Sequence, residues 1–145
     1  MGHPFSGYIV YWNKRIYRDL NVMYDRKLAP YGLTSGQVNV LEQLWTLGDG
    51  MTQKELHERL GIRPASLTNL LNALVEGGWV VRKSDPQDAR SKRIYLTEAG
   101  LAQSKVCMEI ITELENVVRQ GMSPEEISLM LVWMQKNHNN VSNEE

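Results

Sequence analysis

The chain has 145 residues, 42% hydrophobic and 23% charged, a balance that fits a folded domain with a real core and excludes disordered or collagen-like classes. A net charge of −1 excludes a uniformly basic surface, and a single cysteine, Cys107, excludes an intramolecular disulfide framework. No apolar run reaches membrane-spanning length and no secretory signal is recognisable, so no membrane partner and a cytoplasmic location are expected.

From Tyr8 to Leu28 neither proline nor glycine interrupts a helical pattern. Ile9, Trp12, Ile16, Leu20 and Met23 form one apolar stripe; Val10, Tyr17 and Tyr24 form a second. A helix apolar on two sides needs two covers, one from its own domain and one from a second subunit. Ala29-Pro30-Tyr31-Gly32 is expected to end it, because proline disfavours helix in the residue before it. Thr34 or Ser35 then caps a helix whose Val38, Leu41, Leu44 and Trp45 face inward, closed by Gly48-Asp49-Gly50.

Thr52 with Glu55 forms a capping box, Leu56 and Leu60 share a face, and Gly61 supplies the stop. Pro64 suits a first helical turn, after which Leu67, Leu70, Leu71 and Leu74 recur at the spacing of one buried face. The opposite face carries Ala65, Thr68, Asn69 and Asn72, small or polar residues that permit close approach to another surface. Helix, short turn, helix is the helix-turn-helix arrangement, whose second helix enters the DNA major groove. Two strand-like runs follow, Trp79-Val80-Val81 and Ile94-Tyr95-Leu96, joined by a connection from Arg82 to Arg93. That connection holds five bases (Arg82, Lys83, Arg90, Lys92, Arg93) against two acids (Asp85, Asp88). A hairpin with a basic tip beside such a helix reads as a wing that contacts double-stranded DNA.

Charge is distributed to match. Residues 1–50 hold five bases and four acids, residues 51–96 eight and five, and residues 97–145 three and eight. The positive excess therefore sits on the middle segment alone. In the last segment Thr97 caps a long helix through Leu101, Val106, Ile110, Ile111, Leu114, Val117 and Val118, stopped by Gly121. Ser123-Pro124-Glu125-Glu126 starts a final helix bearing Ile127, Met130, Leu131 and Met134 on one face, with Leu129, Val132 and Trp133 beside it. The polar tail from Asn137 to Glu145 is expected to fray.

These motifs resemble the MarR-type (multiple antibiotic resistance) winged-helix regulators. The residues that carry the resemblance are Tyr31-Gly32-Leu33-Thr34, Thr52-Gln53-Lys54-Glu55-Leu56, Gly78-Trp79-Val80, the wing Asp85-Pro86-Gln87-Asp88-Ala89-Arg90-Ser91-Lys92, and Leu96-Thr97-Glu98-Ala99-Gly100. The resemblance covers nearly the whole chain. It implies a mainly α (α+β) fold, one domain over 1–145, in which 33–97 is a winged helix-turn-helix and the helical parts 1–32 and 98–145 form a dimerisation region. Ile9, Ile16, Ile127, Met130, Leu131, Trp133 and Met134 would build the homodimer. A two-fold protein expects a pseudo-palindromic operator and a regulatory role, repression being the first expectation.

By the same resemblance Arg90 would enter the minor groove, braced by Asp88 through a charge-assisted hydrogen bond, while Lys83, Lys92 and Arg93 would serve phosphates. Arg82 belongs to the same basic set. On the recognition helix Asn69 and Ala73 stand where the family often has bases. Readout then falls to Asn69 and Asn72, whose amides pair with adenine, and to Arg63, Ser66 and Thr68 for phosphate or base contacts. A small aromatic or phenolic effector is expected among Tyr11, Trp12, Arg15 and Trp45, aromatic packing being the competing account of those residues.

His3, His57 and His138 lack metal-ligand spacing, so no metal or cofactor is expected. Cys107, flanked by Val106, Met108, Ile110 and Ile111, reads as an inert core thiol. No nucleophile–base pair, HExxH, Walker loop or dinucleotide fingerprint points to an enzyme. A winged helix used only for protein contacts is the alternative, and its wing would not need five bases.

Overall fold

A computed structural model describes residues 2–144, and its chain divides into two units, Met1–Ile111 and Thr112–Glu145. The first holds α1 (Ile9–Leu28), a 3₁₀ turn (Ala29–Tyr31), α2 (Ser35–Leu47), β1 (Met51–Thr52), α3 (Gln53–Leu60), α4 (Pro64–Glu76), β2 (Val80–Asp85) and β3 (Asp88–Leu96). The boundary falls inside α5 (Glu98–Arg119), and α6 (Pro124–Ser142) belongs to the second unit. The strands form an antiparallel sheet in the order β1-β3-β2.

The caps follow the sequence signals. Thr34, Thr52 and Ser123 each accept from the backbone N–H three residues on, and Gln37, Glu55 and Glu126 each reach back to the cap residue's N–H. Each reciprocal box satisfies two otherwise orphaned donors, and losing such a cap costs about 1 kcal/mol. Gly61, at φ 63°, turns the chain between α3 and α4 in a conformation that suits glycine best.

In the first unit the core is one apolar cluster fed by every long element. Leu28, Val38, Val40, Leu41, Leu44, Leu56, Leu67, Leu71, Leu74, Val80 and Ile94 are all fully buried. Each contributes roughly 1.5–3 kcal/mol relative to an exposed side chain. Because α4 spends Leu67, Leu71 and Leu74 on this cluster, its opposite face is held outward.

Helix α1 ends at Leu28 as expected, though not by the expected means: Ala29 keeps a right-handed helical conformation before Pro30, the chain passes into a 3₁₀ turn, and Gly32 (φ 76°) makes the stop. The chain tightens there without breaking. Three other expectations need correction. The sheet has a third strand, β1, too short to show a period: its two residues pair Met51 with Ile94 and Thr52 with Arg93. The wing strands extend far past the three-residue runs: residues 82–85 and 88–93 are strand with only Pro86-Gln87 between them, and a register shift moves the partner from Lys92, opposite Ser84, to Asp88, opposite Asp85. The tail from Asn137 stays helical through Ser142, while Glu145 lies outside the described residues.

Helices α1, α2 and α5 contribute the buried Tyr24, the half-buried Glu42 and the buried Cys107, whose groups influence one another. Burial pushes the Cys107 thiol up to about 11, the nearby Glu42 charge adding to it and the Tyr24 hydroxyl opposing in part. Tyr24 and Glu42 are also raised, first by burial. Cys107 is thus a neutral thiol at physiological pH, as an inert core residue should be.

Candidate nucleic-acid interface

The exposed surface of α4 begins at Arg63, the residue before Pro64. Its side chain makes no cap hydrogen bond and is open to solvent. Ala65, Ser66, Asn69 and Asn72 follow along the helix, all exposed. Thr68 departs from this set. It is half-buried, its hydroxyl donating to the Pro64 carbonyl (3.0 Å) and accepting from Gln53 Nε2 (2.9 Å). That pair fixes α4 against α3. Gln53 escapes a reading of the sequence alone, because its partner Thr68 lies 15 residues away on the next helix.

Strand alternation sorts the wing bases. Cross-strand partners project to the same face of a ladder, and the register pairs Val80 with Leu96, Arg82 with Ile94, and Ser84 with Lys92. Val80 and Ile94 are buried, so this is the core-side face. Past the core it carries Arg82 and Lys92; the register then shifts between Ser84 and Asp85, and Arg90 lies in that irregular stretch. Lys92 Nζ donates to Ser84 Oγ at 2.9 Å. The other face pairs Lys83 with Arg93 and Val81 with Tyr95. There the Lys83 ammonium sits 5.1 Å from the centre of the Tyr95 ring.

Arg93 is engaged within the protein. Its Nε and Nη2 both lie 3.1 Å from Asp85 Oδ2, and its Nη1 donates to the Gly50 carbonyl at 2.8 Å. One guanidinium therefore ties the wing's outer end to the segment that leads into β1. The expected acid–base brace between Asp88 and Arg90 takes a different form: Asp88 Oδ1 accepts from the Arg90 backbone N–H at 3.0 Å. Asp85 Oδ1 accepts likewise from Gln87 N at 3.0 Å. The two aspartates shape the wing's turn through backbone donors, and that leaves the Arg90 side chain exposed without an acid partner among the described residues. The Gln87 donor, then the Arg93 guanidinium, hold the Asp85 carboxyl below the usual range against a partial rise from burial.

The base of the wing is stitched to α5. Thr97 Oγ1 accepts from Gly100 N (3.1 Å) and lies 2.6 Å from the Gly78 carbonyl and 3.1 Å from the Trp79 carbonyl, either of which can take its single proton. A Cβ on Gly100 would collide with the Trp79 carbonyl, so only glycine permits this approach.

Of the four expected effector residues, Trp45 lines a recess whose walls do not include Tyr11, Trp12 or Arg15. Arg15 Nη1 donates to Tyr11 Oη at 2.6 Å, and the guanidinium lies 5.5 Å from the Tyr11 ring centre. Tyr11 stacks on His3 with ring centres 4.7 Å apart, and Trp12 Nε1 donates to the Ser6 carbonyl at 2.7 Å. Trp45 instead donates to the Gly100 carbonyl (3.0 Å) and lines a recess of about 410 Å³ with Leu44, Asp49, Leu96, Thr97, Glu98 and Leu101.

Of the expected dimerisation residues, Ile9 (63%) and Ile16 (42%) on α1 and Trp133 (54%) and Met134 (53%) on α6 are exposed. Met130 and Leu131 are exposed too, and Ile127 is half-buried. No helix among the described residues is long and apolar enough to cross a membrane.

Residues 33–92 match the family model of the MarR family. The crystal structure of a MarR transcriptional regulator from Methanosarcina mazei Go1 is similar at 28% identity and TM-score 0.81, over 94% of this chain and 99% of that one. A DNA complex of S. aureus MepR is similar at 27% identity and TM-score 0.81, over 91% and 97%. A mutant MarR from E. coli complexed with operator DNA shares the fold, at 23% identity and TM-score 0.79, over 93% and 98%.

Proposed function

We propose that the chain, whose residues 33–92 match the MarR family model, is a MarR-type, sequence-specific, double-stranded-DNA-binding transcriptional regulator. The reading rests above all on one observation. An exposed, small and amide-bearing face of α4 stands next to a wing whose Arg82, Lys83, Arg90 and Lys92 are unpaired with acids among the described residues. The S. aureus and E. coli relatives are seen on DNA, which supports carrying the partner over.

In this reading α4 lies in the major groove. Asn69 and Asn72 read adenine edges, and Arg63 and Ser66 contact phosphate or bases near the helix start. Arg90 enters the adjacent minor groove, favoured where narrow A/T-rich sequence concentrates negative potential. Arg82, Lys83 and Lys92 neutralise phosphates. Arg93 is assigned to positioning: it holds the wing at the distance set by Asp85 and Gly50. Thr68 belongs with it, as a joint between α3 and α4.

The protein acts as a homodimer through the exposed apolar faces of α1 and α6, on half-sites about one helical turn (~34–36 Å) apart. Occupying an operator beside a promoter makes it a cytoplasmic repressor, released by a small aromatic effector. Parts 1–32 and 98–145 serve the dimer and 33–97 serves DNA. No catalytic step is assigned.

Selection of bound duplexes from a random pool tests this directly. A recovered pseudo-palindrome with A/T-rich flanks is expected. Recovery of no motif, together with a monomeric protein at micromolar concentration, would overturn it.

A further inference from the structure

The recess around Trp45 has a one-sided chemistry. Its walls are Leu44, Leu96, Leu101 and the Trp45 indole, and its only charged residues are Asp49 and Glu98. Leu44 is buried at its floor, whereas Asp49, Glu98 and Leu101 are open to solvent, so a small molecule can enter from outside. Asp49 spends one carboxylate oxygen on the Leu96 N–H (2.7 Å). Its second oxygen and the whole Glu98 carboxylate meet no protein donor among the described residues. The indole N–H is already bound to the Gly100 carbonyl, so Trp45 offers ring surface, not a donor.

An apolar, aromatic-walled recess rimmed by two carboxylates and no base selects against anions. It favours a cation carrying an apolar body: the ammonium pairs with the carboxylates, and the body covers leucine and indole. The Arg15 guanidinium, the other candidate for holding a charged ligand, is already placed on the Tyr11 hydroxyl and ring. We propose that the recess formed by α2, the end of β3 and the start of α5 binds a small lipophilic monocation, an arylalkylamine in chemical class.

The site also has a route to the wing. Asp49 adjoins Gly50, whose carbonyl receives Arg93, and Arg93 grips Asp85 at the wing's far end. An ammonium drawn to Asp49 competes for the carboxylate that holds the Leu96 N–H, and so perturbs the last residue of β3 and the Gly50 anchor together. This second part rests on the DNA-binding reading above; binding at the recess does not.

The probes are 4-phenylbutylamine, 4-phenylbutanol and 4-phenylbutyrate, alike in body and different in charge, titrated into the full chain against tryptophan fluorescence. The amine is expected to bind saturably, with a response that disappears in Trp45→Phe. Asp49→Asn keeps an oxygen for the Leu96 N–H, and combined with Glu98→Gln it should weaken the amine on the order of tenfold or more. The carboxylate should bind no better than the alcohol. Equal or tighter binding of the carboxylate, or amine affinity indifferent to the double variant, would overturn the proposal. Duplex affinity measured on the same samples separates the two readings. Protein that binds duplex but not the amine loses only the recess, and protein that binds the amine but no duplex loses only the regulator.

Discussion

The recognition helix and the wing are neighbours in one unit, both exposed, and built on opposite electrostatic terms. The outward face of α4 from Ala65 to Asn72 has no charge at all, whereas β2 and β3 carry five bases within twelve residues. Neutral amides in a groove discriminate bases but attract DNA weakly; cations on a strand attract any DNA but discriminate little. The division suggests a protein whose affinity and specificity can be changed separately, more cleanly than in one whose recognition helix is itself basic.

The most forceful way to break this comparison is to neutralise the wing. Changing Arg82, Lys83, Arg90 and Lys92 together to Ala should lower duplex affinity by roughly 100-fold near physiological salt. The dependence of log K on log salt should flatten by about 0.9 for every phosphate left without its cation. Preference among sequences that differ only under α4 should persist. Next in size are Asn69→Ala and Asn72→Ala, each expected to cost about 1–3 kcal/mol on the selected site and little on a scrambled one, with the salt slope unchanged. A salt slope that moved with the asparagines would merge the two roles.

A smaller effect separates gripping DNA from shaping the grip. Arg93→Ala should leave the melting temperature nearly unchanged, since a partly exposed ion pair contributes about 1 kcal/mol or less. It should speed amide hydrogen exchange in residues 82–93 and weaken DNA several-fold. Arg93→Lys should not restore the protection, because a single ammonium cannot span Asp85 and Gly50 as the planar guanidinium does. The smallest effect is acid-dependent. The Asp85 carboxyl is depressed in the folded chain, so the order it confers is complete above its unfolded value of about 3.9 and is lost as pH falls through the lower folded value. Wing amide protection should therefore hold from neutral pH to about pH 4 and fall only below it. Loss already at pH 5 to 6 would point to a different group.

Much of the fold was legible because its punctuation is local. Thr52 with Glu55, Ser123 with Glu126, and Gly61 each act within one turn of chain, and the leucines of α4 display their period openly. The wing was harder for a physical reason. A long, solvated hairpin alternates charge with charge, so Lys83-Ser84-Asp85 and Arg90-Ser91-Lys92-Arg93 lack the apolar alternation that marks a strand, although both segments are strand and Arg93 pairs with Lys83. The grip of Arg93 depends on that pairing and on a carbonyl 43 residues away, which no local pattern announces. The aromatic set is divided in the fold: Tyr11 and Arg15 meet on one helix, whereas Trp45 lines a recess with Leu44, Leu96 and Leu101.

The close approach of Gly100 to the Trp79 carbonyl has a mechanical meaning. With no side chain to separate them, the first turn of α5 bears directly on the backbone at the root of the wing, and Thr97 pins the joint from the other side. Such a joint has almost no lateral play, so Gly100 serves as a fulcrum. A tilt of α5 at this joint is passed straight to the root of the wing and swings the wing's free end with it. Padding the pivot with even one methyl group, as in Gly100→Ala, would force the two arms apart at rest and set the wing at a different angle before any duplex arrived.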